Sequence, residues 1–168
     1  MERLRQGDTS SLGPLYLRYR GVVNAVVRRR TPGLEDGESE DICHDVFLTL
    51  RDLAHRYRPG GTLKGWLCGI ALRKARRASE GRTSRRGLLA RLFGPEAIAP
   101  VEYRGDVDRV LALLPEPQRE VVVLSLIEQL DTEDVASALG ISVNTVWTRL
   151  HRARHRLKEL MSSEGGAP

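Results

Sequence analysis

Asn144, Thr145, Trp147, Thr148 and Arg149 lie close together at the start of a helical repeat, and their side chains are of the types that meet base edges. An amide matches adenine, a guanidinium matches guanine O6 and N7, and hydroxyls serve several edges. Arg149 is the leading candidate, because a bidentate guanine contact discriminates by about 1–3 kcal/mol. Trp147 would lie either on thymine methyls or on a neighbouring helix, and the sequence leaves both open. Arg152, Arg154 and Arg156 suit phosphates, which position a duplex without specifying it. Two other groupings fall short of chemistry. His151 and His155 have the i, i+4 spacing of a metal-binding helix, but Arg152 stands where the H-E-x-x-H pattern has Glu, and the helix is strongly cationic. Cys43, His44 and Asp45 are consecutive, and neighbours on a helix point apart. No phosphate-binding glycine loop is present, so no metal, cofactor or catalytic group is expected.

Holding the base-reading set requires the stretch 131–160. Asp131 can cap a helix, with Asp134 three residues on in a capping-box arrangement. Gly140 can turn left-handed without steric cost, and Ser142 can cap the next helix. There Val143, Val146, Leu150, Ala153, Leu157 and Leu160 form one apolar stripe, leaving the basic residues on the other faces. Helix, glycine turn and basic second helix make the helix-turn-helix pattern, whose second helix enters a major groove.

Apolar residues are 40% of the 168-residue chain and the net charge is +5, with a pI near 9.7. That balance suits a polyanionic partner. The charges are segregated. Residues 35–52 hold seven acids and one Arg, and residues 66–91 hold eight bases and one Glu. A basic protein with an acidic patch is expected to meet two partners, a nucleic acid and a protein. The start lacks a secretory apolar core, and no apolar run approaches a membrane span, so a cytoplasmic protein without membrane insertion is expected. Cys43 and Cys68 read as buried reduced thiols.

In chain order, helices are predicted over residues 11–29, ended by Pro32 and Gly33, and over 39–56 with Glu40 and Asp41 in the first turn. Arg58-Pro59-Gly60-Gly61 breaks the chain, and Thr62 caps a third helix with a basic end. Glycines and prolines then mark residues 79–105 as a linker. Residues 107–114 form a further amphipathic turn, and residues 121–130, apolar nearly all round, the buried centre of a second unit. The expected fold is all-α: two small helical bundles at 9–78 and 106–162, joined by a flexible linker.

Two stretches together resemble one family. DICHDVFLTL followed by GWLCGIALRKARR, and LLPEPQREVVVLSL followed by the helix-turn-helix, are similar in this order to the sigma-70 superfamily, in its extracytoplasmic-function group. The resemblance implies a non-catalytic promoter-specificity subunit. It would bind core RNA polymerase through the β′ clamp helices and β flap, and promoter DNA at the −35 and −10 elements. An anti-sigma factor is a further partner the family suggests. The acidic helix would supply the polymerase face through Asp41, His44, Asp45, Phe47, Leu50 and Arg51. The loop and basic helix would take the −10 strand and aid melting through Arg58, Gly60, Gly61, Lys64, Arg73, Lys74, Arg76 and Arg77. The −35 element would be read by Ser142, Asn144, Thr145, Trp147, Thr148, Arg149, Arg152 and Arg156. The chain departs from the family's pattern at His44, where Gln is usual, and at Leu72, Arg73 and Arg77, in the R, N and D positions after the tryptophan. Trp147 replaces a frequent Lys. A stand-alone helix-turn-helix regulator would explain residues 131–160 but not the acidic helix or the W-L-x-x-I-A stretch.

Overall fold

The computed structural model describes residues 1–58, 60–93 and 105–164. Regular structure among them is entirely helical, as the periodicities require. A single turn, α1 (Glu2–Arg5), precedes α2 (Leu12–Arg30), α3 (Asp36–Leu53) and α4 (Leu63–Phe93), which make the first unit. The second comprises α5 (Asp106–Ala112), α6 (Glu116–Val122), α7 (Thr132–Leu139) and α8 (Val143–Glu164).

Local chemistry sets most boundaries. α2 stops at Arg30, and Gly33 takes φ 75° just beyond. α3 begins earlier than predicted, because Glu35 and Glu38 close a reciprocal capping box. Thr62 caps α4 as expected, its hydroxyl accepting from the Gly65 N–H at 3.1 Å. That helix then continues through Gly81 and Gly87 to Phe93, so the first half of the stretch read as a linker is helical. Its middle is tied to the start of α3: Arg82 donates to the Gly33 carbonyl at 2.6 Å and pairs with Glu38. Residues 94–104, the rest of that stretch, and Pro59 of the predicted break lie outside the described residues.

Of the stretch 121–130 expected to be buried, residues 121–124, Glu128 and Leu130 are, whereas Leu126 is 45% exposed. The helix widens there into a π turn over Val123–Ile127, with Glu128 N–H donating to the Val123 carbonyl, and Gln129 then takes φ 53°. Gly140 is left-handed at φ 66°, ψ 38°, which sets the corner between α7 and α8.

The units do not stand apart. α7 lies along α4, α6 approaches α2, and Arg76 of α4 reaches Glu120 of α6. A Cβ on Gly69 would sit 3.0 Å from the Ala138 carbonyl oxygen, a tight approach that glycine eases. Charges join the same seam, bases from the first unit and acids from the second. Arg30, 4% exposed, donates to Glu120 at 2.8 Å and pairs with Glu116. Arg76 reaches Glu120 at 3.1 Å, Arg29 reaches Asp108 at 3.5 Å, and Lys64 reaches Glu128 at 3.4 Å.

Candidate nucleic-acid interface

The candidate recognition surface is built by α8. Ser142 accepts from the Thr145 N–H at 3.1 Å and so starts the helix. Val146, Leu150 and Ala153 are buried underneath at 0%, 4% and 0% exposure, which forces the intervening residues outward. Asn144, Thr148, Arg152 and Arg156 are exposed, while Thr145 and Arg149 are half-buried at the edge of the same face. Trp147 is 55% exposed, so it is presented outward rather than packed on the neighbouring helix. The Thr148 hydroxyl donates to the Asn144 carbonyl at 2.9 Å and that of Thr145 pairs with Ser142 at 2.8 Å, which holds both side chains in place. The structure brings the base-edge candidates 144–149 together within the first two turns of α8, with Arg152 and Arg156 one and two turns further along. His151 and His155 are exposed, and His155 meets Glu159 at 3.3 Å. Among the described residues no group of three metal-ligating side chains converges.

The predicted −10 set divides. Arg58, Gly60, Arg73 and Arg77 are exposed. The Arg73 guanidinium is held below its ordinary pKa by desolvation first and by Arg77 second. The rim of the loop is ordered by Tyr57, whose ring meets Trp66 edge-on at 5.3 Å and whose hydroxyl donates to the Gly61 carbonyl at 3.3 Å. Lys74 pairs with Asp45 inside the first unit. Gly61 and Arg76 are exposed too, but Arg76 and Lys64 are paired with acids of the second unit and Gly61 stands beside its Asp134. A Cβ on Gly61 would meet the Asp134 carboxylate at 2.6 Å, Lys64 holds the Glu128 carbonyl and carboxylate, and Arg76 holds Glu120. The Arg76 pKa is raised by its hydrogen bond to Glu120.

On α3, Asp41, His44, Asp45 and Arg51 share an exposed face. The His44 ring stacks on Tyr16 at 5.3 Å, with its Nε2 2.7 Å from the Tyr16 hydroxyl. Phe47 and Leu50 do not belong to that face. They are 5% and 0% exposed, because the same 3.6-residue period that puts the acids outside points them into the core. Their part is to fix the helix, not to touch a partner. Leu48, 71% exposed, sits among the acids and was missed; its register with Asp41, Asp45 and Asp52 was the available signal. Asp134 was missed as well. Its carboxylate, read as half of a capping box, accepts instead from Thr62 N–H at 2.8 Å and from the Thr62 hydroxyl. Asp131 still caps α7, accepting from Asp134 N–H at 2.8 Å.

Known proteins match this arrangement along nearly its whole length. Sigma-70 region 2 matches residues 15–85 and sigma-70 region 4 matches residues 104–157. The ECF RNA polymerase sigma-E factor of Escherichia coli K12 is 26% identical, with 94% of this chain and 90% of that protein covered. RNA polymerase sigma factor CnrH of Cupriavidus metallidurans is 27% identical over the same shares. A solved structure of CnrH in complex with the cytosolic domain of CnrY superposes with a TM-score of 0.71 at 28% identity, covering 96% of this chain and 94% of that one. The sigma factor RpoE, solved with the anti-sigma factor NepR from Bartonella quintana, shares the fold at a TM-score of 0.73 and 23% identity, covering 92% and 98%. With both regions present in order, on units that carry an outward basic helix and an acidic one, the chain belongs to the sigma-70 family, in its extracytoplasmic-function group.

Proposed function

We propose that the chain binds core RNA polymerase and directs it to promoters, with a division of labour between its helices. α3 presents Asp41, His44, Asp45, Leu48 and Arg51 to a basic surface of the polymerase, where complementary charge speeds docking. α8 enters the major groove at the −35 element, with Asn144, Trp147, Thr148 and Arg149 on base edges and Arg152 and Arg156 on phosphates. The 58–65 loop and the basic face of α4 hold the melted −10 strand. The chain supplies binding and no bond-making chemistry, needs no cofactor, and works in the cytoplasm, where an anti-sigma factor is a further partner. The observation that carries this reading is the pairing of both sigma regions with a polar, outward-facing α8. The stand-alone regulator is not favoured, since it leaves the match over residues 15–85 without a purpose.

Run-off transcription with purified core polymerase and the DNA upstream of the chain's own gene is the test. The chain should confer a defined start site that core polymerase alone does not choose. Specific duplex binding by the chain alone, with no effect on polymerase, would instead identify a stand-alone regulator.

A further inference from the structure

The outward face of α8 is not wholly polar. Trp147 is 55% exposed, and Val143, which its spacing groups with the buried stripe, is 38% exposed. The two stand four residues apart on the helix, so they are surface neighbours and make one apolar patch near its start. The hydroxyls beside the patch bind their own chain. Thr148 gives its proton to the Asn144 carbonyl at 2.9 Å, and the Ser142 and Thr145 hydroxyls meet at 2.8 Å. The exposed Asn144 side chain is of the amide type that pairs with adenine. Arg152 and Arg156, exposed further along, give the face a positive setting that suits DNA rather than an apolar protein surface. Among major-groove edges the apolar feature is the thymine methyl, and it belongs to the same base pair as the adenine edge that an amide reads.

We propose that Val143 and Trp147 form an apolar reading surface for thymine 5-methyl groups, with Asn144 on an adenine of the same or the adjoining base pair. The inference rests on the sigma-factor reading and deepens it, by naming the chemical group that this part of the −35 contact recognises. An indole carries no charge for a phosphate. It gains most where apolar surface leaves water on both sides of the contact. The −35 element should therefore carry thymine opposite the start of α8.

Run-off transcription with the full-length chain and core polymerase, on the fragment upstream of the chain's own gene, maps the start site and with it the −35 element. Each thymine of that element, on either strand, is then replaced singly by deoxyuridine, which removes the methyl and keeps every hydrogen-bonding edge. Open-complex formation by wild type should fall about fourfold at one or more of these thymines, the worth of one buried carbon. The same replacement in the spacer should change nothing. Trp147→Ala and Trp147→Lys should be weaker on the thymine promoter and indifferent to the replacement, and Val143→Ala should show a reduced penalty. Circular dichroism checks that each variant keeps its helices. A −35 element without thymine overturns the inference, as does a Trp147→Ala variant that retains the full penalty. Wild-type indifference at every thymine, with activity still lost in Trp147→Ala, would place the ring against protein instead. If wild type selects a start site but ignores the methyls, only this inference falls. If no form of the chain programs polymerase, the reading beneath it falls too.

Discussion

Arg149 and Cys68 show how differently two side chains are used by their surroundings. Arg149 sits half-buried at the edge of the outward face of α8, and its planar fork is the shape that pairs with guanine. Replacing it with Ala should weaken recognition at one base position by about 1–3 kcal/mol and relax the preference there, while polymerase binding is retained. Promoter variants in a competition run-off assay measure this; uniform weakening across all sequences would mean that Arg149 only holds a phosphate. Cys68 is fully buried under the seam, and its thiol is pushed up from 9.0 to about 12, by burial first and by the Glu128 charge second. The folded chain therefore keeps a proton that the unfolded chain gives up. Stability from this group is complete below about pH 9 and is lost as the pH rises towards 12, at up to about 1.4 kcal/mol per pH unit. Wild type should lose more thermal stability than Cys68→Ala between about pH 8 and pH 10.5, and parallel losses would refute the assignment. That Cys68 is a buried thiol was legible from its apolar helical setting. That two acids of the other unit lie near it was not, because nothing in a local pattern reports what packs across a seam.

Among the elements, the helix-turn-helix was the most legible, since each of its signals is local: an Asp131 cap, a Gly140 turn, a Ser142 cap and one apolar stripe. α4 was the least. Gly81 and Gly87 read as breakers, yet the helix passes through both, because Arg82 anchors it to Gly33 and Glu38, residues far away in sequence. Tertiary ties outweigh a propensity deficit of about 1 kcal/mol per glycine. The two kinds of glycine predict opposite outcomes. A Cβ on Gly81 would meet nothing within 4 Å and its backbone is helical, so Gly81→Ala should stabilise by about 0.5–1 kcal/mol. Gly140 also has open space, but its φ of 66° strains any L side chain, so Gly140→Ala should destabilise by about 1 kcal/mol. Urea midpoints measured side by side decide the matter. If both substitutions move the midpoint the same way, backbone conformation is not what separates these positions.

Charge organises the whole molecule. The sequence shows an acidic segment and a basic one, but not that bases of the first unit would be partly neutralised by acids of the second. Arg29, Arg30, Lys64 and Arg76 are paired with Asp108, Glu116, Glu120 and Glu128 of the second unit. The cations left facing solvent on the second unit are concentrated on α8, where Arg152, Arg154, Arg156 and Lys158 are all exposed. Duplex binding by the second unit should therefore be an α8 property, even though the net charge of +5 is a property of the whole chain. Each phosphate neutralised releases counterion, and log K falls against log salt with a slope of about −0.9 per contact. Arg152→Ala with Arg156→Ala should make that slope shallower by about 1.8 and weaken all sequences alike, because phosphate contacts carry no base information. Fluorescence anisotropy on a promoter duplex and a scrambled duplex, from about 50 to 200 mM salt, reads both quantities. An unchanged slope would move the cationic footprint off α8; a loss confined to the promoter duplex would mean that these arginines read bases after all.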